Sequence, residues 1–103
     1  MAPDSILIEV RKTVSFDRWL RKLRDPEARS RILARVRRVS LGNFGDSRAV
    51  GEGVFEMRLD HGPGYRVYFV MRGSGNVILL FGGDKRAQDS DIRRAKRMNS
   101  ELE

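Results

Sequence analysis

Two neighbouring stretches carry apolar side chains at every second position, and this periodicity constrains the fold more than any other feature of the chain. In residues 54–60 these are positions 55, 57 and 59, and in residues 65–72 they are positions 65, 67, 69 and 71. Successive side chains of a strand point to opposite faces, so each stretch is predicted to be a β-strand with one core face. The sequence His-Gly-Pro-Gly at 61–64 joins them as a hairpin. The opposite face collects Glu56, Arg58, Asp60, Arg66, Tyr68 and Arg72.

The register of this hairpin decides how the charges meet. Matching core to core requires Leu59 to face either Tyr65 or Val67, because a one-residue slip would turn a whole strand over. The first register places Arg58 opposite Arg66, two cations that repel each other unless an anion lies between them. The second places Asp60 opposite Arg66, as in an ordinary salt-bridged surface.

The remaining pattern predicts a single α+β domain over residues 1–103, with a mostly antiparallel sheet. Residues 6–10 are predicted to form a first strand, 48–52 a short edge strand, and 77–81 a central strand that is apolar on both faces. A second hairpin turn is expected at 73–76.

Three helices complete this prediction. Ser15 is expected to cap the first, which carries an apolar stripe from Phe16 to Leu23. The second is expected to run from Pro26 to about Ser40, so that the first two form a helical hairpin on the sheet. The last is expected at 89–102. The side chains predicted to face the core from the second and last helices are Ala28, Ile32, Leu33, Val36, Val39, Ile92, Ala95 and Leu102.

Charge is concentrated in one segment. The formal net charge is +7, from 21 basic and 14 acidic residues, and residues 11–40 alone hold 11 basic and 3 acidic residues. Within the second predicted helix, Arg31, Arg35 and Arg38 share a face. Such a surface is typical of proteins that bind nucleic acid or another anionic partner.

Several classes of site are excluded by composition. The chain has no cysteine and a single histidine, so disulfides, thiolate metal sites and paired-histidine sites are not expected. No apolar run approaches the roughly 18 residues that a membrane span needs.

Lys85 and Arg86 follow the last predicted strand and precede a helix, a position that favours phosphate binding.

Five segments, in this order and spacing, resemble the RelE/ParE superfamily of bacterial toxins, and most closely its HigB-like, phage-derived branch. They are Phe-Asp-Arg-Trp-Leu at 16–20, Gly-Asn-Phe-Gly-Asp at 42–46, Glu-Met-Arg at 56–58, Gly-Tyr-Arg-Val-Tyr-Phe at 64–69 and Leu-Leu-Phe-Gly-Gly-Asp-Lys at 79–85. The resemblance covers nearly the whole chain and implies a RelE-like fold.

The resemblance also implies an activity. Many relatives cleave messenger RNA in the ribosomal decoding site, where the 2′-hydroxyl attacks the adjacent phosphate to leave a cyclic phosphate and a 5′-hydroxyl, and no cofactor or metal is needed. Arg66 matches the strand arginine that would stabilise the phosphorane, Arg58 a second cation, and Lys85 and Arg86 lie near a further one. Glu56 is a candidate general base, and Tyr68 or Lys85 a candidate for proton transfer. The helix arginines, with Arg72 and Arg86, are candidates for RNA binding.

Partners follow from the same resemblance. A cognate antitoxin is expected, with an acidic or apolar segment for the basic surface and a helix-turn-helix domain through which the pair would bind operator DNA. The ribosome and messenger RNA are the other expected partners, in the cytoplasm and with no membrane involved. Relatives in the ParE branch inhibit DNA gyrase without cleaving RNA, so a gyrase inhibitor is the alternative.

Overall fold

A five-stranded mixed sheet with helices on both faces forms the structure, a computed structural model that describes residues 8–102. The elements are β1 (Glu9–Lys12), α1 (Val14–Lys22), α2 (Pro26–Ser40), β2 (Ser47–Gly51), β3 (Val54–Arg58), β4 (Arg66–Arg72), β5 (Asn76–Gly83), a 3₁₀ turn (Lys85–Ala87) and α3 (Gln88–Glu101). The strand order is β1-β5-β4-β3-β2, in which β1 is parallel to β5 and all other pairs are antiparallel. The predicted α+β class is confirmed.

Each face of the sheet has its own core. On one face α1 and α2 pack as the predicted helical hairpin, where Phe16, Ile32 and Val36 meet Phe69 and Leu79. On the other face α3 packs over a second core, formed by Val54, Tyr68, Val70, Leu80, Phe81 and Ala95. Because β5 contributes Leu79 to one core and Leu80 to the other, its two-sided apolar pattern has the predicted cause.

The sheet face that gathers the polar side chains of β3 and β4 is partly covered by α3. Glu56 and Tyr68 have no exposed surface, because α3 lies over this face and Tyr68 belongs to the second core. Alternation identified which side chains share a face, but it does not say whether another layer covers that face. At these two positions the face is a second core, and not the polar surface that alternation predicts.

The cap of α1 also differs from the prediction. Thr13, and not Ser15, is the N-cap: its Oγ1 accepts a hydrogen bond from the Phe16 amide at 3.0 Å and donates one to the Leu80 carbonyl at 2.6 Å. The same residue therefore caps the helix and ties it to β5. Asp25 caps α2 by accepting from the amides of Glu27 and Ala28.

Smaller corrections concern the ends and faces of elements. The first strand begins at Glu9, whereas the prediction was 6–10, of which residues 6 and 7 lie outside the described part of the chain. Leu33 is 43% exposed and Leu102 is 36% exposed, so neither is a core residue as predicted. Leu33 directly follows the buried Ile32 in α2, and successive side chains of a helix point in different directions, so Leu33 lies outside the buried stripe. Leu102 is the C-cap, beyond the last turn of α3.

The hairpin adopts the first of the two registers, with Arg58 opposite Arg66 and Glu56 opposite Tyr68. The Leu59 amide donates to the Tyr65 carbonyl at 2.9 Å and so extends this register towards the turn.

At the neighbouring end of β5, a Cβ on Gly82 would lie 2.4 Å from two ring atoms of Trp19. Only glycine therefore allows Trp19 to pack against this strand.

None of the helices between residues 8 and 102 has the length and apolar character needed to cross a bilayer.

Candidate active site

A polar cleft of about 530 Å³ opens at the end of the sheet where β3 ends, β4 begins and β5 gives way to the 3₁₀ turn. Its walls come from three separate parts of the chain, and its lining consists of Asp46, Arg58, Leu59, Asp60, Gly62, Pro63, Gly64, Arg66 and Lys85. Three cations that the sequence singled out, Arg58, Arg66 and Lys85, are thus brought together.

The two opposed arginines are held differently. Arg58 forms an ion pair with Asp46 at 3.3 Å and remains partly exposed. Arg66 is 8% exposed, and its Nη1 donates to the Gly64 carbonyl at 2.7 Å. The Nε atoms of both arginines are buried and have no hydrogen-bond partner among the described residues. Two directly opposed cations repel each other, so this pair is suited to an anion that would occupy the space between them.

The turn at 61–64 shapes the cleft around Arg66. Gly64 has a φ of +80°, which favours glycine, and a Cβ there would lie 3.1 Å from Nη1 of Arg66. The amide of Lys85 donates to the Pro63 carbonyl at 3.4 Å, and this bond joins the 3₁₀ turn to the hairpin turn. Lys85 is exposed at the rim, so its amine can approach a bound group.

Glu56 lies behind Arg66 and does not line the cleft. Its Oε2 accepts from Gln88 Nε2 at 2.8 Å and from the Tyr68 hydroxyl at 3.4 Å, and it lies 3.6 Å from Arg66 Nε. Its Oε1 accepts from Arg48 Nε at 3.1 Å. A carboxylate removed from water is costly unless it is paired and hydrogen-bonded, and here both oxygens are.

Tyr68 is the other candidate that lies behind the cleft. Burial and the negative charge of Glu56 raise the pKa of the Tyr68 phenol well above its ordinary value of 10. The hydroxyl is therefore protonated at neutral pH and donates to the carboxylate.

A second cleft of about 260 Å³ adjoins the first and is lined by residues of α2 together with Leu59, Asp60 and His61. Arg31, Arg35 and Arg38 all contribute to it, so the basic helix face continues into the cleft region. Arg31 is paired with Glu27 at 2.9 Å. Arg35 donates to the Arg58 carbonyl at 2.7 Å, and partial burial lowers the pKa of its guanidinium.

The two remaining RNA-binding candidates line neither cleft. Arg86 is highly exposed and pairs with Asp84 at 3.4 Å. Arg72 lies at the opposite end of β4 from Arg66, where its Nη2 donates to Asn99 of α3.

Sequence reasoning missed three residues of this region. Gln88 and Arg48 bind Glu56, and Asp46 binds Arg58. The Gly-Glu-Gly turn at 51–53 was the available signal for Arg48, because it implies a β2–β3 hairpin in which Arg48 faces Glu56. Nothing in the local pattern indicates that the first residue of α3 reaches back across the sheet. No cluster of potential metal ligands exists between residues 8 and 102.

Comparison with known families places this fold. Residues 18–100 match the family described as phage-derived protein Gp49-like. The chain belongs to this family. A protein of Haemophilus influenzae is 48% identical over 95 residues, which cover 92% of this chain and 96% of that protein; its own function is not described.

Two solved structures share the fold of this Gp49-like protein. A mutant of the Escherichia coli toxin RelE in the free state superposes with a TM-score of 0.70 at 14% identity, covering 90% of this chain and 97% of that one. The toxin–antitoxin complex RelBE2 from Mycobacterium tuberculosis gives a TM-score of 0.64 at 20% identity, covering 78% of this chain and all of the matched one. The predicted resemblance to the RelE superfamily and the predicted RelE-like fold are confirmed.

Proposed function

We propose that this Gp49-like protein is the toxin of a toxin–antitoxin pair and an endoribonuclease that cleaves messenger RNA on the ribosome. One observation carries the proposal: Arg58 and Arg66 face each other across β3 and β4, at a cleft that also holds Lys85. A pair of opposed cations is suited to a phosphate.

Phosphodiester cleavage by a 2′-hydroxyl requires charge stabilisation and two proton transfers. Arg66 and Arg58 would stabilise the phosphorane from two sides, since both present donors to the same cleft. Lys85 would donate a proton to the departing 5′-oxygen. Asp60, an exposed carboxylate of the lining, would accept the proton of the 2′-hydroxyl, because Glu56 and Tyr68 do not reach the cleft.

The adjoining cleft gives the RNA a path. Arg31, Arg35 and Arg38 would hold phosphates that flank the scissile one, because the two clefts share Leu59 and Asp60. Arg72 and Arg86 are proposed to contact nucleic acid farther from the cleft.

A cognate antitoxin is the proposed partner. The RelBE2 toxin was solved within a toxin–antitoxin complex, and this protein shares its fold. The antitoxin would cover the basic surface with an acidic or apolar segment and carry a helix-turn-helix domain for operator DNA. Toxin and ribosome would meet in the cytoplasm.

The test is cleavage of messenger RNA on purified, programmed ribosomes by the wild type, Arg66→Ala and Arg97→Ala. Loss of one preorganised donor to an oxyanion costs about 10²–10³ in kcat, so Arg66→Ala should be nearly inactive. Arg97 is an exposed residue of α3 that lines neither cleft, and its substitution should leave the rate unchanged.

Two results would contradict the proposal. If Arg66→Ala cleaves as fast as Arg97→Ala, Arg66 does not act on the phosphate. If the wild type stops growth but cleaves no messenger RNA, the nuclease assignment is wrong, and inhibition of supercoiling by gyrase becomes the activity to measure.

A further inference from the structure

We infer that Glu56 and Gln88 are positioning residues that orient Arg66 for the phosphate, and that α3 therefore controls the cleft through its first residue. The kcat test of this inference rests on the proposed function, whereas the contacts from which it is argued do not. The two residues form one connection to Arg66: Gln88 Nε2 donates to Glu56 Oε2 at 2.8 Å, and the same oxygen lies 3.6 Å from Arg66 Nε.

Only part of the Arg66 guanidinium is available to a bound group. A guanidinium has five N–H donors in a rigid plane. The Nε edge of Arg66 faces Glu56, and one Nη1 hydrogen is used by the Gly64 carbonyl at 2.7 Å. The remaining Nη donors are left for the cleft that Arg66 lines. Glu56 thus fixes which way the planar group turns.

Glu56 is completely buried and Arg66 is 8% exposed, so the charge pair is largely screened from water. A well-packed apolar pair is often at least as stable as a buried ion pair. Stability alone therefore does not explain a glutamate here, whereas the orientation of a neighbouring arginine does.

The partners of Glu56 come from different parts of the chain. Glu56 lies on β3, Arg66 and Tyr68 on β4, Arg48 on β2 and Gln88 on α3. Four elements meet at one carboxylate, which holds it in place without any contact to the cleft. Glu56 is therefore not the general base that the sequence suggested for it, and it acts through Arg66.

Removal of this charge has two opposite consequences. In Glu56→Gln the neutral amide keeps the shape but no longer attracts the guanidinium, so Arg66 loses its fixed orientation and the rate falls. The loss of a negative charge beside Arg66 also raises the net positive potential of the cleft, so a simple anion binds equally well or more tightly. A merely structural defect would weaken both properties.

The experiment measures kcat for ribosomal cleavage and the affinity for inorganic phosphate, the latter from the NMR shifts of the arginine Nε–H groups. We expect Glu56→Gln to lower kcat about tenfold or more, in the range that a small misplacement of a catalytic group causes, with phosphate affinity unchanged or increased. Glu52→Gln is the matched control, since Glu52 is an exposed carboxylate paired with Lys96 and lies in neither cleft.

Gln88→Ala keeps the test decisive if Glu56→Gln folds poorly. Gln88 is only half-buried, and its loss should shift the Arg66 Nε–H resonance and lower kcat by a smaller factor in the same direction. In an Arg66→Ala background, Glu56→Gln should have no further effect on the rate, because a residue that acts through another is non-additive with it.

The outcomes separate the two proposals. If the wild type does not cleave RNA, the proposed function fails, and the Arg66 Nε–H shift and phosphate affinity still test the positioning. The positioning inference is overturned if Glu56→Gln leaves kcat within twofold of wild type. It is also overturned if the Arg66 resonance is the same in wild type, Glu56→Gln and Gln88→Ala, or if phosphate affinity falls together with the rate.

Discussion

Thr13 offers a direct stability test because its hydroxyl performs two functions at once. It accepts from the Phe16 amide at 3.0 Å as the N-cap of α1, and it donates to the Leu80 carbonyl at 2.6 Å. Replacing a threonine cap with alanine costs about 1 kcal/mol, and a typical intramolecular hydrogen bond contributes about 1 kcal/mol more. Thr13→Ala should therefore lower the free energy of unfolding by about 2 kcal/mol.

Urea unfolding, followed by the fluorescence of Trp19, measures this change. In thermal unfolding of a domain of this length, the same loss of about 2 kcal/mol corresponds to a fall in Tm of roughly 8–16 °C. The m-value should not change, since the surface exposed on unfolding is the same. Thr13→Ser keeps the hydroxyl and should recover most of the loss.

Ser15→Ala is the matched control. The sequence pattern suggested Ser15 as the cap, whereas the structure places it in the first turn of α1, after the cap. Its substitution should change stability by no more than about 0.5 kcal/mol. If Thr13→Ala is no more destabilising than Ser15→Ala, the cap and the bond to β5 do not contribute as argued.

Three further outcomes are expected. Gly82→Ala should cost about 1–3 kcal/mol in urea unfolding, because the new Cβ meets the Trp19 ring at 2.4 Å, and an unchanged midpoint would contradict that packing. A hydrogen bond from His61, together with amides of α2, lowers the pKa of the Asp25 carboxyl, so its contribution to stability is present above its unfolded pKa and is lost as the pH falls through the lower folded value. Asp25→Asn should therefore flatten the decline in stability between about pH 5 and pH 2, and an equally steep decline would refute this. In salt titrations of RNA binding, Arg38→Ala should reduce the log–log slope by about 0.7 if it contacts one phosphate of a single strand; an unchanged slope would remove Arg38 from the proposed path.

Local periodicity was enough to predict the elements and to narrow the hairpin to two registers. Core matching around Leu59 left two possibilities, and the one with opposed arginines is the one observed. Alternation assigned Arg58 and Arg66 to one face of the hairpin, and the position after the last strand assigned Lys85 to the end of the sheet. That the three residues line one cleft is seen only in the structure.

Periodicity could not predict what lies over each face. Glu56 and Tyr68 read as surface residues on an alternating strand, but α3 covers them, and the packing of a distant helix is not encoded in the strand itself. The Gln88 contact was beyond prediction for the same reason, because it joins residues 32 positions apart. Leu33 shows the reverse error, in which an apolar residue beside a genuine core residue was assigned to the core by its type alone.

The sheet becomes complete late in synthesis, because the first strand pairs with the last one. β1 has one neighbour in the sheet, β5, and its residues 9–12 pair with residues 76–79 near the other end of the sequence. A nascent chain that has not yet produced β5 leaves its first strand unpaired and lacks Lys85, one wall of the cleft. Chains interrupted before this point, by a premature stop or by proteolysis, therefore lack the strand that holds β1 and do not form the complete cleft.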